Sequence, residues 1–456
     1  MQAVLDLVRA TADQRVAELD AWLRIPSISS LTEHAADMER CAAWTARYLE
    51  QAGLEEVQIH PTARHPIITG QWLHAPGRPT LLIYGHYDVQ PVDPVELWIT
   101  GPFEPDVRHG RIHARGSADD KGQILMHMQA VAATLAATGR LPINVIFLIE
   151  GEEEIGSPNL PDFLHRLGQT GPRIDLAMVS DTCMWAEGIP AITAGLRGLV
   201  ALDVEVIGPS RDLHSGSFGG AVANPVEILA RMLATLKDEQ GTIQVAGLLA
   251  EVRPPTPEER ARVAEIFFDA DGFLGGIGVG QGWGEAGYSL LERLWYRPTI
   301  EINGLWGGYT GAGAKTVLPA RAYAKLSMRL VPDQRPERVA AQVAAHLQSV
   351  APSCVRVEVR TVPGGGHPWR LNPDLPAVAA MQRALHDSFG HPPVLIGEGA
   401  SIPVVADLDR ILGIPTLLVG FSLPDACPHS PNENFHLASF HTGTESLVRF
   451  FHDWAA

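Results

Sequence analysis

The chain has 456 residues, enough for two or three domains at roughly 150 residues each. Its 46% hydrophobic and 19% charged residues are typical of folded proteins and exclude a chain that is disordered throughout. The net charge of −17 disfavours nucleic acids and anionic membranes as partners, because it repels phosphate groups. Four scattered cysteines without a CxxC pair favour a reducing compartment, so we expect a cytoplasmic protein.

Helices and strands alternate along the first half of the chain. The N-terminal segment repeats apolar residues at helical spacing and carries acidic residues throughout, which predicts a folded helix rather than a signal peptide. The elements predicted next, in chain order, are helices near 2–24 and 36–52, strands at 66–73 and 80–85, a helix that opens near Ser117, a strand at 143–150, a helix near 158–168 and a strand at 175–180. Short apolar strands between helices indicate a sheet covered on both faces, and no apolar run is long enough to span a membrane.

A second pattern begins near residue 194, where strands alternate polar and apolar residues as half-buried strands do. The elements predicted from there are strands at 199–208 and 322–331, helices near 225–237, 335–348 and 373–388, a strand at 416–420 and a terminal helix at 436–454. We therefore predict an α/β domain formed by residues 1–193 and 367–456, with an α+β domain inserted at 194–366. Residues 255–297 fit neither pattern, and the glycine-rich stretch at 275–285 is interpreted as a flexible loop.

Five clusters of acidic residues and histidines directly follow a predicted strand or open a helix. They are YGHYDVQP (84–91), SADDKG (117–122), EGEEEIGS (150–157), SD (180–181) and CPHSPNE (427–433). In an α/β sheet the carboxyl ends of the strands share one edge, and ligands bind there. We therefore expect these distant segments to converge in space.

The clusters contain a set of side chains suited to divalent metal ions. Two imidazoles and three carboxylates are offered by His86, Asp119, Glu154, Asp181 and His429. This set suits zinc, manganese or cobalt, and with one bridging carboxylate two ions can each take three protein ligands. Asp88 lies two residues after His86 in extended chain, so it can hold the second imidazole nitrogen. Of two adjacent glutamates, one can bind metal while the other carries protons.

Each cluster also has an ordinary structural interpretation when it is taken alone. HxD tripeptides are common at surfaces, Asp119 and its neighbour suit a helix N-terminus, and Ser117 suits a helix cap. The glutamate run 152–154 is typical of a solvated loop, and His429 of a turn. The occurrence of all five clusters in one spatial order favours a shared site over these separate interpretations.

In this order and with these separations, the five motifs resemble those of the metallopeptidase family M20, the group of carboxypeptidase G2, aminoacylase-1, succinyl-diaminopimelate desuccinylase and the carnosinases. The strings ITAGLRGLVALDVEV, RDLHSGSFGG, GAGAKTVLPA, SMRLVPDQ and EGASIP are most similar to the dipeptidase and carnosinase branch. The resemblance implies a mixed-sheet, zinc-peptidase-like catalytic domain sandwiched by helices. It also implies that the inserted domain is a lid and a dimerisation surface.

The resemblance assigns the metal ligands residue by residue. Asp119 would bridge two divalent ions, with zinc as the first expectation and manganese or cobalt as alternatives. His429 and Glu154 would complete the shell of one ion, and His86 and Asp181 that of the other.

The resemblance likewise assigns the residues that perform chemistry. Glu153 matches the general base, which acts on a metal-bridging hydroxide as nucleophile, and Asp88 matches the residue that orients the metal-binding histidine. EGEEEIGS is aligned by its closing Gly-Ser, which leaves Glu152 without a role. His214 matches a histidine that reaches the active site of a neighbouring subunit and helps to hold the scissile carbonyl oxygen.

The last set implied by the resemblance binds the substrate's carboxylate and backbone. It comprises Arg329, Thr316, His367, Ser401 and Glu398. Thr316 and Ser401 could instead cap turns, whereas the planar fork of Arg329 suits bidentate recognition of a carboxylate.

The function predicted from this resemblance is two-metal hydrolysis of dipeptides by a cytoplasmic homodimer. The alternative within enzymes is an amidohydrolase that removes the acyl group of an N-acyl-amino acid with the same dinuclear site. A non-catalytic metal-binding or peptide-binding module is a further alternative. Glu153 argues against that module, because it is needed for chemistry and not for metal ligation.

Overall fold

The computed structural model describes residues 1–455, and the chain divides into two compact units. The first unit contains Met1–Ala194, Leu371–Ile396 and the chain from Asp407 onward; the second contains Gly195–Arg370 and Gly397–Ala406. The sequence pattern assigned the short segment 397–406 to the first domain. It groups with the second unit because its residues bond there: the backbone N–H of Arg197 donates to the carbonyl of Glu398 at 3.3 Å.

The helices and strands of the described residues are as follows. The α-helices are α1 (Gln2–Ala10), α2 (Ala12–Leu23), α3 (Ala35–Gln51), α4 (Lys121–Thr138), α5 (Leu160–Thr170), α6 (Ser215–Phe218), α7 (Pro225–Ala234), α8 (Pro257–Glu265), α9 (Ala270–Gly276), α10 (Leu290–Tyr296), α11 (Pro336–Val350), α12 (Pro376–Phe389), α13 (Pro403–Asp407) and α14 (Leu437–Ala455). The strands are β1 (Glu55–His60), β2 (Ile67–Trp72), β3 (Thr80–His86), β4 (Asp106–Arg108), β5 (Arg111–His113), β6 (Asn144–Glu150), β7 (Leu176–Val179), β8 (Ala191–Leu196), β9 (Gly198–Ile207), β10 (Leu213–His214), β11 (Thr299–Gly307), β12 (Val317–Leu318), β13 (Arg321–Leu330), β14 (Arg356–Gly366), β15 (Trp369–Arg370), β16 (Val394–Glu398), β17 (Thr416–Leu418) and β18 (Asn434–His436).

The first unit is built on a mixed sheet with strand order β1-β2-β6-β3-β7-β17-β8. The four central strands β6, β3, β7 and β17 run parallel, and antiparallel neighbours flank them. Every residue of β3, β7 and β17 is buried, as expected for parallel strands covered on both faces. The predicted α/β fold class is thus confirmed, and the parallel strands place their carboxyl ends at one edge.

Two helix boundaries differ from the sequence prediction. The helix predicted near 2–24 is two helices that meet at Thr11, whose hydroxyl donates to the carbonyl of Leu7 at 2.9 Å. The helix predicted to open near Ser117 begins at Lys121, so Ser117 is not its cap. Lys121 is fully buried, and its ammonium donates to the carbonyl of Ile25 at 2.8 Å. None of the helices in residues 1–455 is both long and apolar enough to cross a bilayer.

The second unit contains an antiparallel sheet with strand order β11-β13-β9-β14. Alternate residues of β9 and β13, such as Val204 and Leu326, enter a hydrophobic core with residues of α7 and α11. The period-2 pattern that predicted these strands reflects this one-sided burial. Residues of the opposite face, including Ser327 and Arg329, lie outside that core.

Residues 255–297 are more regular than predicted, because α8, α9 and α10 lie within them. Thr256 and Glu259 form a reciprocal capping box at α8, and Ser289 and Glu292 form another at α10. Both boxes follow the S/T-x-x-E pattern, which is a recognised N-terminal helix signal. The interpretation of this segment as patternless was therefore wrong for its helical parts.

Candidate active site

The parallel strands of the first unit place acidic and histidine residues at one edge of the sheet. His86 is the last residue of β3, Glu154 lies in the turn after β6, and Asp181 follows β7. Asp119 lies just before α4, and His429 lies in the loop between β17 and β18. The convergence of the predicted clusters follows from the shared direction of these strands.

Two groups of three ligand-type side chains form at this edge, and Asp119 belongs to both. One group is His86, Asp119 and Asp181, and the other is Asp119, Glu154 and His429, with the ligand atoms of each group within 4.8 Å of one another. His86 Nε2 lies 3.1 Å from Asp119 Oδ1, and His429 Nε2 lies 2.8 Å from Asp119 Oδ2. Each oxygen of Asp119 therefore faces a different histidine. The five residues predicted as ligands lie together, and their role as ligands stays a prediction.

The donor set of these two groups fits divalent cations. Among residues 1–455, the carboxylates of Asp119, Glu154 and Asp181 make ion pairs only with histidines, so no Lys or Arg neutralises them. His86 Nε2 is buried without a hydrogen-bond partner, while His86 Nδ1 lies 3.1 Å from the carbonyl of Asp88. A proton on Nδ1 leaves the lone pair of Nε2 directed at the site, as metal-binding histidines require.

The crowding of carboxylates shifts their proton affinities. Burial raises the pKa of Glu154 to about 10, and the negative charge of Asp119 adds to this increase. Burial and the same charge also raise the pKa of Asp181. Burial opposes ionisation of Asp119 too, but the hydrogen bond with His429 and the attraction of the nearby His86 outweigh it and lower the pKa of Asp119. Asp119 is thus the carboxylate that stays ionised most readily.

Asp88 holds the glutamate turn as well as His86. Its carboxylate accepts hydrogen bonds from the backbone N–H groups of Glu153 and Glu154, at 3.2 and 3.1 Å, and from the hydroxyl of Ser29 at 2.7 Å. It is the backbone carbonyl of Asp88 that bonds to the imidazole of His86, while its carboxylate Oδ1 lies 3.4 Å from His86 Nδ1. The side chain predicted to orient His86 therefore mainly fixes the neighbouring turn.

The three glutamates of this turn have different environments. Glu152 is buried and accepts from the backbone N–H of His65 at 2.8 Å, so it anchors the turn. Glu154 accepts from Gln90 Nε2 at 2.7 Å, which fixes the ligand-type oxygen. The carboxylate of Glu153 makes no side-chain hydrogen bond within residues 1–455, and burial raises its pKa to about 7. Of the three glutamates, Glu153 is thus the one whose carboxylate has no hydrogen-bond partner among residues 1–455.

The backbone around Asp119 is held by a second buried carboxylate, that of Glu433. It accepts hydrogen bonds from the N–H groups of Gly116, Ala118 and Asp119 at 2.9, 2.8 and 3.1 Å. It also pairs with Arg115 Nη1 at 2.7 Å, and both side chains are almost fully buried. Glu433 thus links the loop that carries His429 to the loop that carries Asp119.

Helix α4 supplies two further buried polar groups to the loops of the site. His127 Nε2 lies 2.7 Å from the hydroxyl of Ser180, the residue before Asp181. Gln123 Nε2 donates to the carbonyl of Ala118 at 2.9 Å. Burial lowers the pKa of His127 to about 3, so this imidazole stays neutral and acts as a fixed hydrogen-bonding group.

Gln90, His127 and Glu433 were not predicted from the sequence to belong to this site. Gln90 lies in the motif YGHYDVQP and Glu433 in CPHSPNE, and no local pattern distinguishes them from the neighbouring polar residues. His127 had a usable signal, because it is a polar residue within the continuous apolar run of α4. A polar residue at such a position is buried and needs a hydrogen-bond partner.

In the second unit, the structure brings Arg329 and Ser401 together. Arg329 Nη1 donates to Ser401 Oγ at 3.1 Å, and Ser401 Oγ donates to the carbonyl of Arg197. Arg329 projects from β13 between the buried residues Met328 and Leu330, on the opposite face of the strand. Its guanidinium is therefore held near the Gly397–Ala406 segment and away from the hydrophobic core.

The other predicted substrate residues of this unit are not joined into one cluster by side-chain contacts. His214 ends the short strand β10, is exposed, and makes no side-chain hydrogen bond or ion pair with any residue from 1 to 455. Thr316 is exposed just before β12. His367 Nε2 lies 3.9 Å from a carboxylate oxygen of Glu337, and Glu398 Oε1 accepts from the N–H of the following glycine at 3.0 Å. Their roles stay predictions.

Comparison with known proteins identifies the family. The sequence model described as "Peptidase family M20/M25/M40" matches residues 82–453. Human Beta-Ala-His dipeptidase is 30% identical over 100% of this chain and 93% of its own length. The Cys-Gly metallodipeptidase DUG1 of Candida albicans is 29% identical over 99% of this chain and 97% of its own length.

A solved structure agrees with the sequence relatives. The M20 family metallo-carboxypeptidase Sso-CP2 of Sulfolobus solfataricus superposes with a TM-score of 0.84, at 30% identity, over 97% of this chain and 99% of its own. The chain belongs to the peptidase family M20/M25/M40. The predicted resemblance to M20, and to its dipeptidase and carnosinase branch, is thus confirmed.

Proposed function

We propose that this protein is a metal-dependent dipeptidase that holds two divalent ions, with zinc as the first expectation and manganese or cobalt as alternatives. The observation that carries the proposal is the arrangement around Asp119, whose two oxygens face His86 and His429 in two separate three-residue groups. The names of the human and Candida relatives, a Beta-Ala-His dipeptidase and a Cys-Gly metallodipeptidase, support the substrate class.

The residues around this centre are suited to peptide hydrolysis. Two divalent ions held by these residues would supply Lewis acidity, which would polarise the scissile carbonyl and lower the pKa of water from about 15.7 toward about 7. Glu153 takes the proton from the attacking water and delivers it to the leaving amine. A base with a pKa near the working pH suits both transfers, and burial brings the pKa of Glu153 to about 7. Asp88 accepts a hydrogen bond from the backbone N–H of Glu153, which fixes the backbone from which this side chain extends.

The second unit supplies the substrate-binding residues in this proposal. Arg329, held by Ser401, binds the C-terminal carboxylate of the dipeptide. Thr316, His367 and Glu398 contribute further contacts to the substrate. The dipeptidases and the metallo-carboxypeptidase among the relatives have names that describe action on substrates with a free C-terminus, which supports an arginine in this role.

The first unit is proposed as the catalytic domain, and the second as a lid and dimerisation domain. An edge strand supports dimerisation, because β11 is the outermost strand of its sheet and exposes Ile302, Leu305 and Trp306. An exposed apolar edge strand is a surface on which a second chain can pair. His214 is exposed and without a side-chain partner in the described chain, which suits a residue that serves a second subunit. A cytoplasmic location remains part of the proposal, supported by four cysteines that form no disulfide in the described chain.

Subunit mixing tests the dimer and the role of His214 together. His214→Ala and Glu153→Ala chains are each expected to be inactive alone. If His214 serves the neighbouring site, mixed dimers regain activity at the one site that has both residues intact. Absence of recovery after demonstrated subunit exchange would show that each chain forms a self-contained site.

The dipeptidase assignment is tested with two substrates that differ only in one amino group, glycyl-leucine and N-acetyl-leucine. The protein is reconstituted with zinc or manganese, and kcat/KM is measured for both. We expect faster hydrolysis of glycyl-leucine. Preference for N-acetyl-leucine would identify an acyl-amino-acid hydrolase with the same metal site. If neither substrate is cleaved, the proposal of an enzyme that acts on such substrates loses its support.

A further inference from the structure

The second unit contains a cavity of about 500 Å³ whose lining is rich in arginine. One wall is the face of β11 and β13 that carries Arg329, and another is formed by the segment that contains α10. That segment belongs to residues 255–297, which match no functional motif in the sequence. The cavity is larger than one carboxylate needs and lies within the range of small-molecule sites.

Two of the five cations that line the cavity are neutralised within the unit. Arg297 forms a bidentate ion pair with Glu285, at 2.6 Å for each bond. Lys237 pairs with Glu301 at 3.1 Å. The remaining three cations are arginines 197, 293 and 329, and none of them has a carboxylate within ion-pair distance in residues 1–455. The cavity therefore has three arginines without an ion-pair partner among residues 1–455, in a chain whose net charge is −17.

Arg197 is the most deeply buried of these three arginines, with 8% of its surface exposed. Its Nε donates to the carbonyl of Gly399 at 3.2 Å, and its Nη1 is buried without a hydrogen-bond partner. Burial, followed by repulsion from Arg329, lowers its pKa to about 10. A buried guanidinium with an unmet donor and a neighbouring cation is destabilising unless an anion is bound beside it.

Arg293 supplies the third charge from α10. Its Nε donates to the backbone carbonyl of Glu285 at 2.9 Å, which fixes the side chain and leaves both terminal nitrogens without a side-chain acceptor in the described chain. An anchored guanidinium of this kind presents a planar pair of donors, which matches the geometry of a carboxylate.

We propose that this cavity binds a second carboxylate of the substrate, so that the enzyme prefers dipeptides with glutamate or aspartate at the C-terminus. This inference rests on the proposed function, in which Arg329 binds the α-carboxylate. Arg197 and Arg293 then receive the side-chain carboxylate of the same residue. A neutral side chain of equal size leaves these two guanidiniums without their anion.

The test compares alanyl-glutamate with alanyl-glutamine, which have nearly the same shape, and measures the ratio of their kcat/KM values. We expect the wild-type metal-loaded enzyme to favour alanyl-glutamate by about tenfold or more, as a charge-assisted hydrogen bond predicts. Arg293→Gln is expected to bring the ratio close to one. Arg262→Gln is the matched control, because Arg262 is an exposed residue of α8 that does not line the cavity. It should keep the wild-type ratio.

A binding measurement separates failure of this inference from failure of the proposed function. Free glutamate is expected to raise the melting temperature of the metal-loaded protein more than free glutamine does, and Arg293→Gln is expected to abolish this difference. A wild-type ratio near one, or an Arg293→Gln variant that keeps the preference, would overturn the inference while the dipeptidase assignment stands. If neither peptide is cleaved, the proposed function fails, and an equal thermal response to the two amino acids then overturns the inference as well.

Discussion

The two functional regions of this chain have opposite electrostatic character. In the first unit, carboxylates converge around Asp119 and only histidines accompany them. In the second unit, arginines line a cavity in which three guanidiniums lack a carboxylate partner. Each arrangement is unfavourable without a ligand of opposite charge, which we propose is a divalent cation in the first region and an anionic substrate group in the second. The charge that each region leaves unmatched is the basis for the ligand that we propose for it.

The largest expected effect comes from Glu153, the glutamate of the acidic region that we assign to chemistry and not to metal binding. Glu153→Gln should lower kcat by about two to four orders of magnitude, as loss of a general base does, while metal content stays the same. Glu154→Gln is the contrasting variant and should lower both metal content and kcat. Steady-state kinetics combined with metal analysis distinguishes the two. Full activity of Glu153→Gln would show that the base is assigned to the wrong glutamate.

A smaller effect is expected for Glu433, which supports the acidic region without facing the ligands. Glu433→Gln leaves one acceptor oxygen where two oxygens now serve four donors, so the loop of Asp119 loses support. Metal affinity should fall by about 10- to 100-fold, as for other residues that orient metal ligands. Competition with a chelator measures the metal affinity of each variant. Asp425→Asn, an exposed change in the same loop, should keep wild-type affinity, and equal affinities for the two variants would contradict the role of Glu433.

The neutral state of His127 predicts a pH dependence of stability in the acidic region. Burial lowers its pKa to about 3, so between pH 6.5 and 3 the unfolded chain binds a proton that the folded chain does not. The free energy of unfolding therefore falls as pH falls, by about 2 kcal/mol from this group at pH 5.

Replacement of His127 tests this linkage. His127→Gln keeps a hydrogen-bonding group beside Ser180 but does not titrate. Between pH 7.5 and pH 5, the free energy of unfolding should therefore fall by about 2 kcal/mol less in this variant than in the wild type. Urea unfolding of the metal-free proteins at both pH values provides the measurement. The exposed His165→Gln variant is the control and should behave as wild type. If the free energy of unfolding of His127→Gln has the same pH dependence as that of the wild type, His127 is not the cause of this dependence.

The smallest expected effect belongs to the cationic region. Arg329→Gln should raise KM for dipeptides by about tenfold and leave metal content unchanged, because it removes one charged contact to the substrate. Lys325→Gln is the matched control, since Lys325 lies on the same face of β13 and pairs with Asp203. An equal rise in KM for both variants would indicate a general charge effect and not a binding site.

The sequence predicted the acidic region far better than the cationic one. The ligand-type residues His86 and Asp181 each end or follow a parallel strand, so local patterns and one rule about sheet edges were sufficient to bring them together. The arginines of the cavity come from β13, α10 and the turn between β8 and β9. Two of them, Arg197 and Arg329, lie in strings that resemble the dipeptidase branch, but whether each arginine has a carboxylate partner depends on tertiary packing.

The same reasoning explains the errors in the fold. Helix α4 was predicted to start too early, because Ser117 is a good cap in isolation, whereas the loop before Lys121 is held by the distant Glu433. Segment 397–406 groups with the second unit, and the sequence pattern did not indicate this because its partners, Arg197 and Arg329, are far away in sequence. By contrast, the capping boxes of α8 and α10 were readable in the sequence, and a search for S/T-x-x-E would have found both helices.

The most direct test of the central claim, that one carboxylate is shared by two metal sites, is the number of tightly bound divalent ions per chain. Elemental analysis after zinc reconstitution should give two ions for wild type and one for His429→Ala, in which the group of His86, Asp119 and Asp181 remains complete. Asp119→Ala should retain none, because both groups lose a ligand and the oxygen that faces each histidine. Retention of two ions by Asp119→Ala would contradict the shared carboxylate and the mechanism built on it.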